Sequence, residues 1–246
     1  MTGYNKIYFT KLFSIGKIVP MIIDLLELRE KERVFESRED AGQRLSDMLA
    51  DYKDCGGIVL AIPAGGVAVG AAIAENLNLA LDVAVVSKVT PAWNSEVGFG
   101  AVAFDGTVRL NEEMLPQFGL SDEQIKERVK FAAAKVGRRV KTMREGRRFP
   151  ELAERTVFLV DDGIASGFTL RVAVEAIKGQ GASEVIIAVP TGHLQAIKDL
   201  EKMVKAIYCA NVRSGRSFAV ADAYQRWFDV DEEEVLEILK EFEHRN

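Results

Sequence analysis

Apolar residues in this chain recur in two registers. Short, mostly apolar runs at Ile58 to Ile62, Leu81 to Val86, Val157 to Val160, Glu184 to Pro190 and Val204 to Ala210 have the length and β-branched content of buried strands. Between them the apolar positions fall at helical spacing. Ala41, Leu45, Met48, Leu49 and Tyr52 share one face behind a Ser37 start that has Asp40 three residues on. A small-residue helix is expected from Val67 to Leu77, a long one from Ser121 to about Arg144, another from near Phe168, and one from His193 to Met203. Phe99 to Phe104 and Thr107 to Leu110 flank Asp105-Gly106, a two-residue hairpin signal. Strands alternating with helices predict a mostly parallel, doubly wound α/β sheet covered on both faces.

The ends of the chain read differently. Ile7 to Leu28 is apolar-rich but broken by Lys11, Lys17, Pro20 and Asp24, which argues against a membrane span or a signal peptide. Residues 1–33 are expected to be an N-terminal extension, with a better helical pattern beginning after Met21 and a start-site extension over 1–20. Residues 34–212 form the expected core, and 213–246 a hood and terminal helix. Asp231 to Glu234 has the N-cap and acidic first turn of that helix.

Composition narrows the class without naming a chemistry. The 246 residues suit one α/β domain, and 48% apolar with 28% charged residues is a globular balance. A net charge of 32 − 37 = −5 gives no general attraction to nucleic acid. Cys55 and Cys209 lack metal-ligand spacing and fit reduced thiols in a cytoplasmic protein. The basic stretch Lys126 to Arg148 carries an apolar stripe of Val129, Ala133, Val136, Val140 and Met143, as a solvated amphipathic helix does. His193 and His244 read as a helix-start and a tail residue. Neither G-x-S-x-G nor G-x-G-x-x-G opening a first helix is present.

Candidate chemistry concentrates in Thr156 to Thr169, T-V-F-L-V-D-D-G-I-A-S-G-F-T. A strand ends in adjacent carboxylates, Asp161 and Asp162, followed by a Gly-bounded turn and a helix start. Backbone N–H groups at such a turn hold phosphate, and the acid pair accepts hydrogen bonds from vicinal hydroxyls. A ligand with a phosphate and a diol one sugar apart is a ribose 5-phosphate. The loop Pro63-Ala64-Gly65-Gly66 ends another strand on the same side, where Gly65 and Gly66 allow close approach to an anion.

The Thr156–Thr169 stretch resembles the phosphoribosyl pyrophosphate signature of type I phosphoribosyltransferases. Over about Phe35 to Leu239 the chain is most similar to an uncharacterised group of predicted members, sharing the Gly-Gly loop, a Lys followed by Pro, the Gly100 to Val102 strand and the basic helix. The resemblance implies a doubly wound core with a C-terminal hood and a β-hairpin beside a mobile loop. It implies transfer of the 5-phosphoribosyl group from phosphoribosyl pyrophosphate to a nitrogenous base or amine, with pyrophosphate released and Mg2+ as cofactor. Asp161, Asp162, Gly163, Ile164, Ala165, Ser166, Gly167 and Thr169 would bind ribose 5-phosphate, and Ala64, Gly65, Gly66 and Lys88 pyrophosphate. Asp161, Asp162 and Lys88 are the expected catalytic residues, and the acid pair would meet the metal only through substrate or water.

Related sequences carry Arg where this chain has Ala64, so the loop lacks a bidentate phosphate clamp. Thr90 to Gly98, with Trp93 and Glu96, matches the family's mobile catalytic loop. Ala165 replaces the acid of 6-oxopurine enzymes and argues against that class. Phe218, Asp222, Tyr224 and Trp227, with Phe228, are the expected base-binding hood, able to stack on a heterocycle or accept from a ring N–H. The implied partners are phosphoribosyl pyrophosphate and a small base or amine, with a homodimer as assembly and neither membrane nor nucleic acid. The alternative is a non-catalytic sensor of phosphoribosyl pyrophosphate that binds nucleic acid through the basic helix.

Overall fold

The computed structural model describes residues 7–8, 21–95 and 97–245. The start-site extension proper and Glu96 lie outside the described residues, apart from Ile7–Tyr8. Strands β1 (Ile7–Tyr8), β2 (Met21–Asp24), β3 (Ile58–Ala61), β4 (Ala80–Val83), β8 (Thr156–Val160), β9 (Glu184–His193) and β10 (Ala206–Arg213) form one sheet in the order β1-β2-β10-β9-β8-β3-β4. All neighbours pair in parallel except β1 with β2. A second, antiparallel sheet contains β5 (Val86–Val89), β6 (Gly100–Ala103) and β7 (Val108–Leu110). The mostly parallel α/β architecture is the one the alternating pattern predicts.

Side-chain alternation explains the layers. Val157, Leu159, Val185 and Ile187 face α4 (Phe168–Gly179) and α5 (Leu194–Glu201), burying Val172, Ala173, Ile177 and Ile197. Their neighbours Phe158, Val160, Ile186 and Ala188 face α1 (Arg38–Met48) and α2 (Gly66–Leu77), burying Leu45, Leu49, Val69 and Ile73. The long helix α3 (Asp122–Arg144) covers the small sheet with Ala132 and Val136 buried, and the terminal helix α6 (Glu232–Arg245) packs on α2 and α3 with Val235 and Leu239 buried. Ser121 starts α3 with a capping box to Gln124.

Some local expectations are corrected. The segment after Met21 is not helical: Met21–Asp24 is a strand beside β10, followed by a single 3-10 turn at Leu26–Leu28. A four-residue strand shows too little alternation to oppose a helical pattern, and only its distant partner selects it. The run Leu81 to Val86 is broken where the chain passes from β4 to β5, with Ala84 N–H still bonded to Ala61 O at 2.9 Å. Continuous burial of Val83, Ala84, Val85 and Val86 hides that change of sheet from an apolarity pattern. On α3, Ala132 is buried and Ala133 exposed, so the stripe passes through Ala132.

Chain order places β3 and β4 on one side of β8 and β9 and β10 on the other. The helices after β3 and β8 therefore cover opposite faces, and a crevice opens between the carboxyl ends of those two strands. Ile62 N–H bonds to Val160 O at 2.8 Å, holding the two strand ends level.

The α1–α2 contact sets the spacing on one face. A Cβ added to Gly42 would lie 2.7 Å from both the Val69 carbonyl and Ala72 Cβ. Alanine is the better helix former by about 1 kcal/mol, but overpacking costs about 1–3 kcal/mol. Gly42→Ala should therefore lower stability by about 1 kcal/mol in urea titration, whereas a gain would show that the two helices can separate freely.

Candidate functional site

Two loops meet in the crevice. Asp161 and Asp162 follow β8 directly, and Gly65-Gly66 opens α2 after β3. A Cβ on Gly65 would lie 1.8 Å from Asp162 Oδ2, and one on Gly66 would lie 2.9 Å from Asp161 Cα. Gly65 has an ordinary helical backbone, φ −59° and ψ −31°, so space is what requires glycine there. The Pro63–Ala64 peptide before it is cis. The acid pair and the Gly-Gly loop thus form one surface, while Ala64 contributes a methyl group and no charge.

The carboxylates are held from several sides. Asp161 Oδ1 accepts from Asp162 N–H at 2.9 Å. Asp162 Oδ2 accepts from Arg38 Nε and Nη2, both at 3.0 Å, and its carbonyl accepts from the Tyr224 hydroxyl at 2.7 Å. Burial, with the Asp162 charge beside it, holds Asp161 well above the usual carboxylate range, against the pull of Lys88 and Arg38. Burial also raises Asp162, and the Arg38 charge and hydrogen bond oppose that rise. Burial, added to by the Asp162 charge, pushes the Tyr224 phenol well above its ordinary value. Lys88 is exposed on β5, and its charge is felt at Asp161.

The turn after the acid pair is anchored at one residue and open at others. Ile164 is buried, donates N–H to Thr191 O at 2.9 Å and accepts from His193 N–H at 2.9 Å. Its amide is therefore engaged by β9. Ala165, Ser166 and Gly167 donate no backbone hydrogen bond to the main chain among the described residues. Gly167 takes φ +73° as the N-cap of α4, where a Cβ would also lie 3.0 Å from Leu200. Ser166 Oγ accepts from Phe168 N–H at 3.4 Å, and Thr169 stands in the helix's first turn. Gly163 leaves space for Val220, whose methyl would lie 2.5 Å from an added Cβ. This geometry can hold an anion by amides at a helix start and a diol by carboxylates beside it.

The hood residues divide. Tyr224 is buried against Phe35, with ring centroids 5.7 Å apart, and its hydroxyl is committed to Asp162. Asp222 Oδ2 accepts from Ala219 N–H at 3.3 Å and from Arg213 at 3.4 Å, so this oxygen serves the hood's own turn. Phe218 packs edge-on to His193 at 5.8 Å and lies 5.1 Å from the Arg213 guanidinium. Trp227 and Phe228 keep exposed faces. In the Thr90–Gly98 segment, Trp93 is exposed and Thr90 O accepts from Arg128 Nε at 2.8 Å. A cleft between this segment and α3 is bordered by Arg128, Lys135 and Arg139, with Lys88 of β5 also in its lining.

The sequence reading missed Arg38. Its only local signal is a cation at the first helical position of α1, where the helix dipole favours acids. Among the described residues no group of three or more His, Cys, Asp or Glu side chains is placed to hold a metal ion. Two adjacent hard oxygens do fit a magnesium ion whose other ligands are water and substrate phosphate. Among the described residues no helix is long and apolar enough to cross a membrane.

Known proteins resemble this chain over most of its length. The family model for the phosphoribosyl transferase domain matches residues 28–222. Two curated Mycobacterium tuberculosis proteins (strains CDC 1551 / Oshkosh and ATCC 25618 / H37Rv), each named "Putative phosphoribosyl transferase", are 30% identical over 207 residues. That match takes in 84% of this chain and 46% of theirs, so the chain spans about half the length of the curated relatives it matches. The crystal structure of TT1426 from Thermus thermophilus is similar with a TM-score of 0.67 and 29% identity, covering 85% of this chain and 98% of that one.

The raised Asp161 carboxyl gives a stability prediction. The native state holds its proton to higher pH than the unfolded chain, so ionising Asp161 destabilises the fold as pH rises above the unfolded value of about 3.9. Asp161→Asn should be more stable than the parent at pH 8, by about 1.4 kcal/mol per unit of native-state displacement, and no more stable near pH 4. Urea midpoints across that range measure it; a pH-independent difference counts against the assignment. Gly65→Ala should displace Asp162 and depress any ligand binding by about tenfold or more, read by calorimetry on folded protein.

Proposed function

The chain belongs to the phosphoribosyl transferase domain family, and on that premise we propose that it transfers the 5-phosphoribosyl group of phosphoribosyl pyrophosphate to a nitrogenous base or amine. The observation that carries this reading is the crevice where Asp161 and Asp162 face Gly65-Gly66 beside the open amides of Ala165, Ser166 and Gly167. Those amides, with the Ser166 and Thr169 hydroxyls, receive the 5-phosphate. Asp161 and Asp162 accept from the 2′- and 3′-hydroxyls and lie close to C1′, where positive charge develops as the bond to pyrophosphate breaks. Lys88 and the Gly-Gly loop attend the departing diphosphate. Magnesium, when bound through substrate and water at the acid pair, supplies charge neutralisation of the leaving group. The nucleophilic nitrogen bonds to C1′ as the C1′–O bond to pyrophosphate breaks, and the oxygen's electron pair leaves with pyrophosphate.

The sensor alternative has Ala64 in its favour, since a loop without a clamp binds diphosphate more weakly. The basic helix gives it less support. Arg138 and Arg139 pair with Glu232, Arg144 with Asp82 and Arg147 with Glu243, so these four cations are engaged within the fold. Phe218 and Trp227 are the rings best suited to cover an acceptor, given the internal roles of Tyr224 and Asp222.

Calorimetry with phosphoribosyl pyrophosphate and millimolar magnesium should give saturable heat, and Asp161→Asn with Asp162→Asn should remove most of it. Pyrophosphate release across a panel of bases and amines should then fall by about 100-fold or more in the double variant. Absence of heat in the parent protein would end this reading; heat without pyrophosphate release for any acceptor would favour the sensor.

A further inference from the structure

The cleft between α3 and the Thr90 end of β5 has no task in the transferase reading. Of the crevice residues only Lys88 reaches its lining. It encloses about 340 Å3, at the small end of ligand pockets. Arg128, Phe131, Ala132, Lys135 and Arg139 line it and recur at i, i+3, i+4, i+7 and i+11, so they share one face of α3. No acidic side chain lies on α3 between Arg128 and Arg144, and none of the described lining residues is acidic. Lys135 and Arg139 are like charges one turn apart, which opposes the helix. Lys135 is exposed and forms no ion pair among the described residues. Arg139 is 12% exposed; its Nε is buried 3.0 Å from Glu232 Oε1 but makes no hydrogen bond to it. That same oxygen accepts from Arg138 Nη2 at 3.2 Å, so one carboxylate serves two guanidinium groups. Arg128 Nε donates to Thr90 O at 2.8 Å, which leaves its two terminal amino groups for another acceptor. Its guanidinium lies 4.7 Å from the centroid of Phe131, a ring 60% exposed.

We propose that this cleft is a second ligand site, which takes a phosphorylated small molecule carrying a flat ring, the chemistry of a nucleotide. A phosphoryl group between Lys135 and Arg139 relieves their mutual repulsion and gives the positive face the anion it lacks. The ring packs on Phe131 beside the Arg128 guanidinium. The face rises about 16 Å from Arg128 to Arg139, so a ligand that meets both ends is longer than a phosphate ion. In a chain of net charge −5 this concentration of cations is local, not a property of the whole surface. A polynucleotide would need the positive track to continue past the cleft, whereas Arg138, Arg144 and Arg147 are paired with acids. The site stands whether or not the crevice transfers phosphoribosyl groups, because the acid pair and the Gly-Gly loop lie outside its lining.

Calorimetry with adenosine 5′-monophosphate, without magnesium or phosphoribosyl pyrophosphate, tests the site, with melting temperature to show that each variant folds. The parent should give saturable heat with the nucleotide, weaker binding of inorganic phosphate and none of adenosine. Lys135→Glu should weaken nucleotide binding by about tenfold or more, and Lys135→Arg should keep it within about threefold of the parent. Phe131→Ala should weaken the nucleotide by about threefold or more and leave inorganic phosphate unchanged. Gly65→Ala, which alters the crevice, should leave nucleotide binding as it is. If Lys135→Glu does not fold, Arg128→Gln carries the test, with a loss in the same direction. No heat with nucleotide or phosphate in the parent would overturn the proposal, and so would a folded Lys135→Glu protein that binds like the parent. Loss of binding in Gly65→Ala but not in Lys135→Glu places the nucleotide in the crevice, which defeats this site and leaves the transferase reading standing. A single-stranded oligonucleotide bound more tightly than the monophosphate would also overturn the assignment of a small ligand.

Discussion

Two carboxyl groups on consecutive residues, whose ionised forms repel each other, are the constraint around which this crevice is arranged. At a few ångströms and an effective dielectric constant of about 20, their repulsion is on the order of 2–4 kcal/mol. A solvated loop would let the side chains diverge, but here β8, paired on both sides within the sheet, fixes the backbone up to Val160. Asp161 is tied back through the Asp162 amide, and Asp162 is tied to Arg38 and Tyr224. Positive charge then comes from separate parts of the chain: Lys88 on β5 and Arg38 on α1.

Sheet order makes the convergence available. Because β3 and β8 are neighbours whose following helices cover opposite faces, both following loops rise from one edge into the same gap. Glycine at 65 and 66 lets α2 begin against the acid pair, where any side chain would collide with Asp162 Oδ2 or the Asp161 backbone. Ile164 performs the complementary task on the other loop, pinning its middle to β9 so that the amides on its far side face the opening. Rigid strand ends position the chemistry, and the loops contribute only short, sterically defined turns.

Much of this was legible as sequence because the signals are local. The strand, acid pair, glycine turn and helix of Thr156–Thr169 are consecutive, and the β6–β7 hairpin announces itself through Asp105-Gly106. Ser121 and Asp231 each cap the helix expected after them. What escaped depends on distant partners. Arg38 lies 124 residues from Asp162, and nothing in its surroundings reveals the pairing beyond a cation at the wrong end of a helix. Tyr224 reads as one aromatic among several, yet its hydroxyl reaches back 62 residues to the acid loop. The strand Met21–Asp24 is selected by β10, and the β4–β5 break lies in a run buried along its length. Patterns of apolarity report burial and period; they do not say which partner does the burying.

The C-terminal segment therefore has two duties that its composition cannot separate. Phe35 and Tyr224 bridge the segment to the start of α1, with Phe35 N–H donating to Ala223 O at 3.0 Å and Gln225 N–H to Phe35 O at 2.8 Å. That bridge brings Tyr224 onto Asp162 and Trp227 onto Arg38, so the cover and the acid pair share the same side chains. Asp162 and Trp227 thus share one neighbour, the Arg38 guanidinium. The rings left outward, Trp227 and Phe228, belong to this attached frame, so a group packing on them would rest on the same residues that hold Asp162.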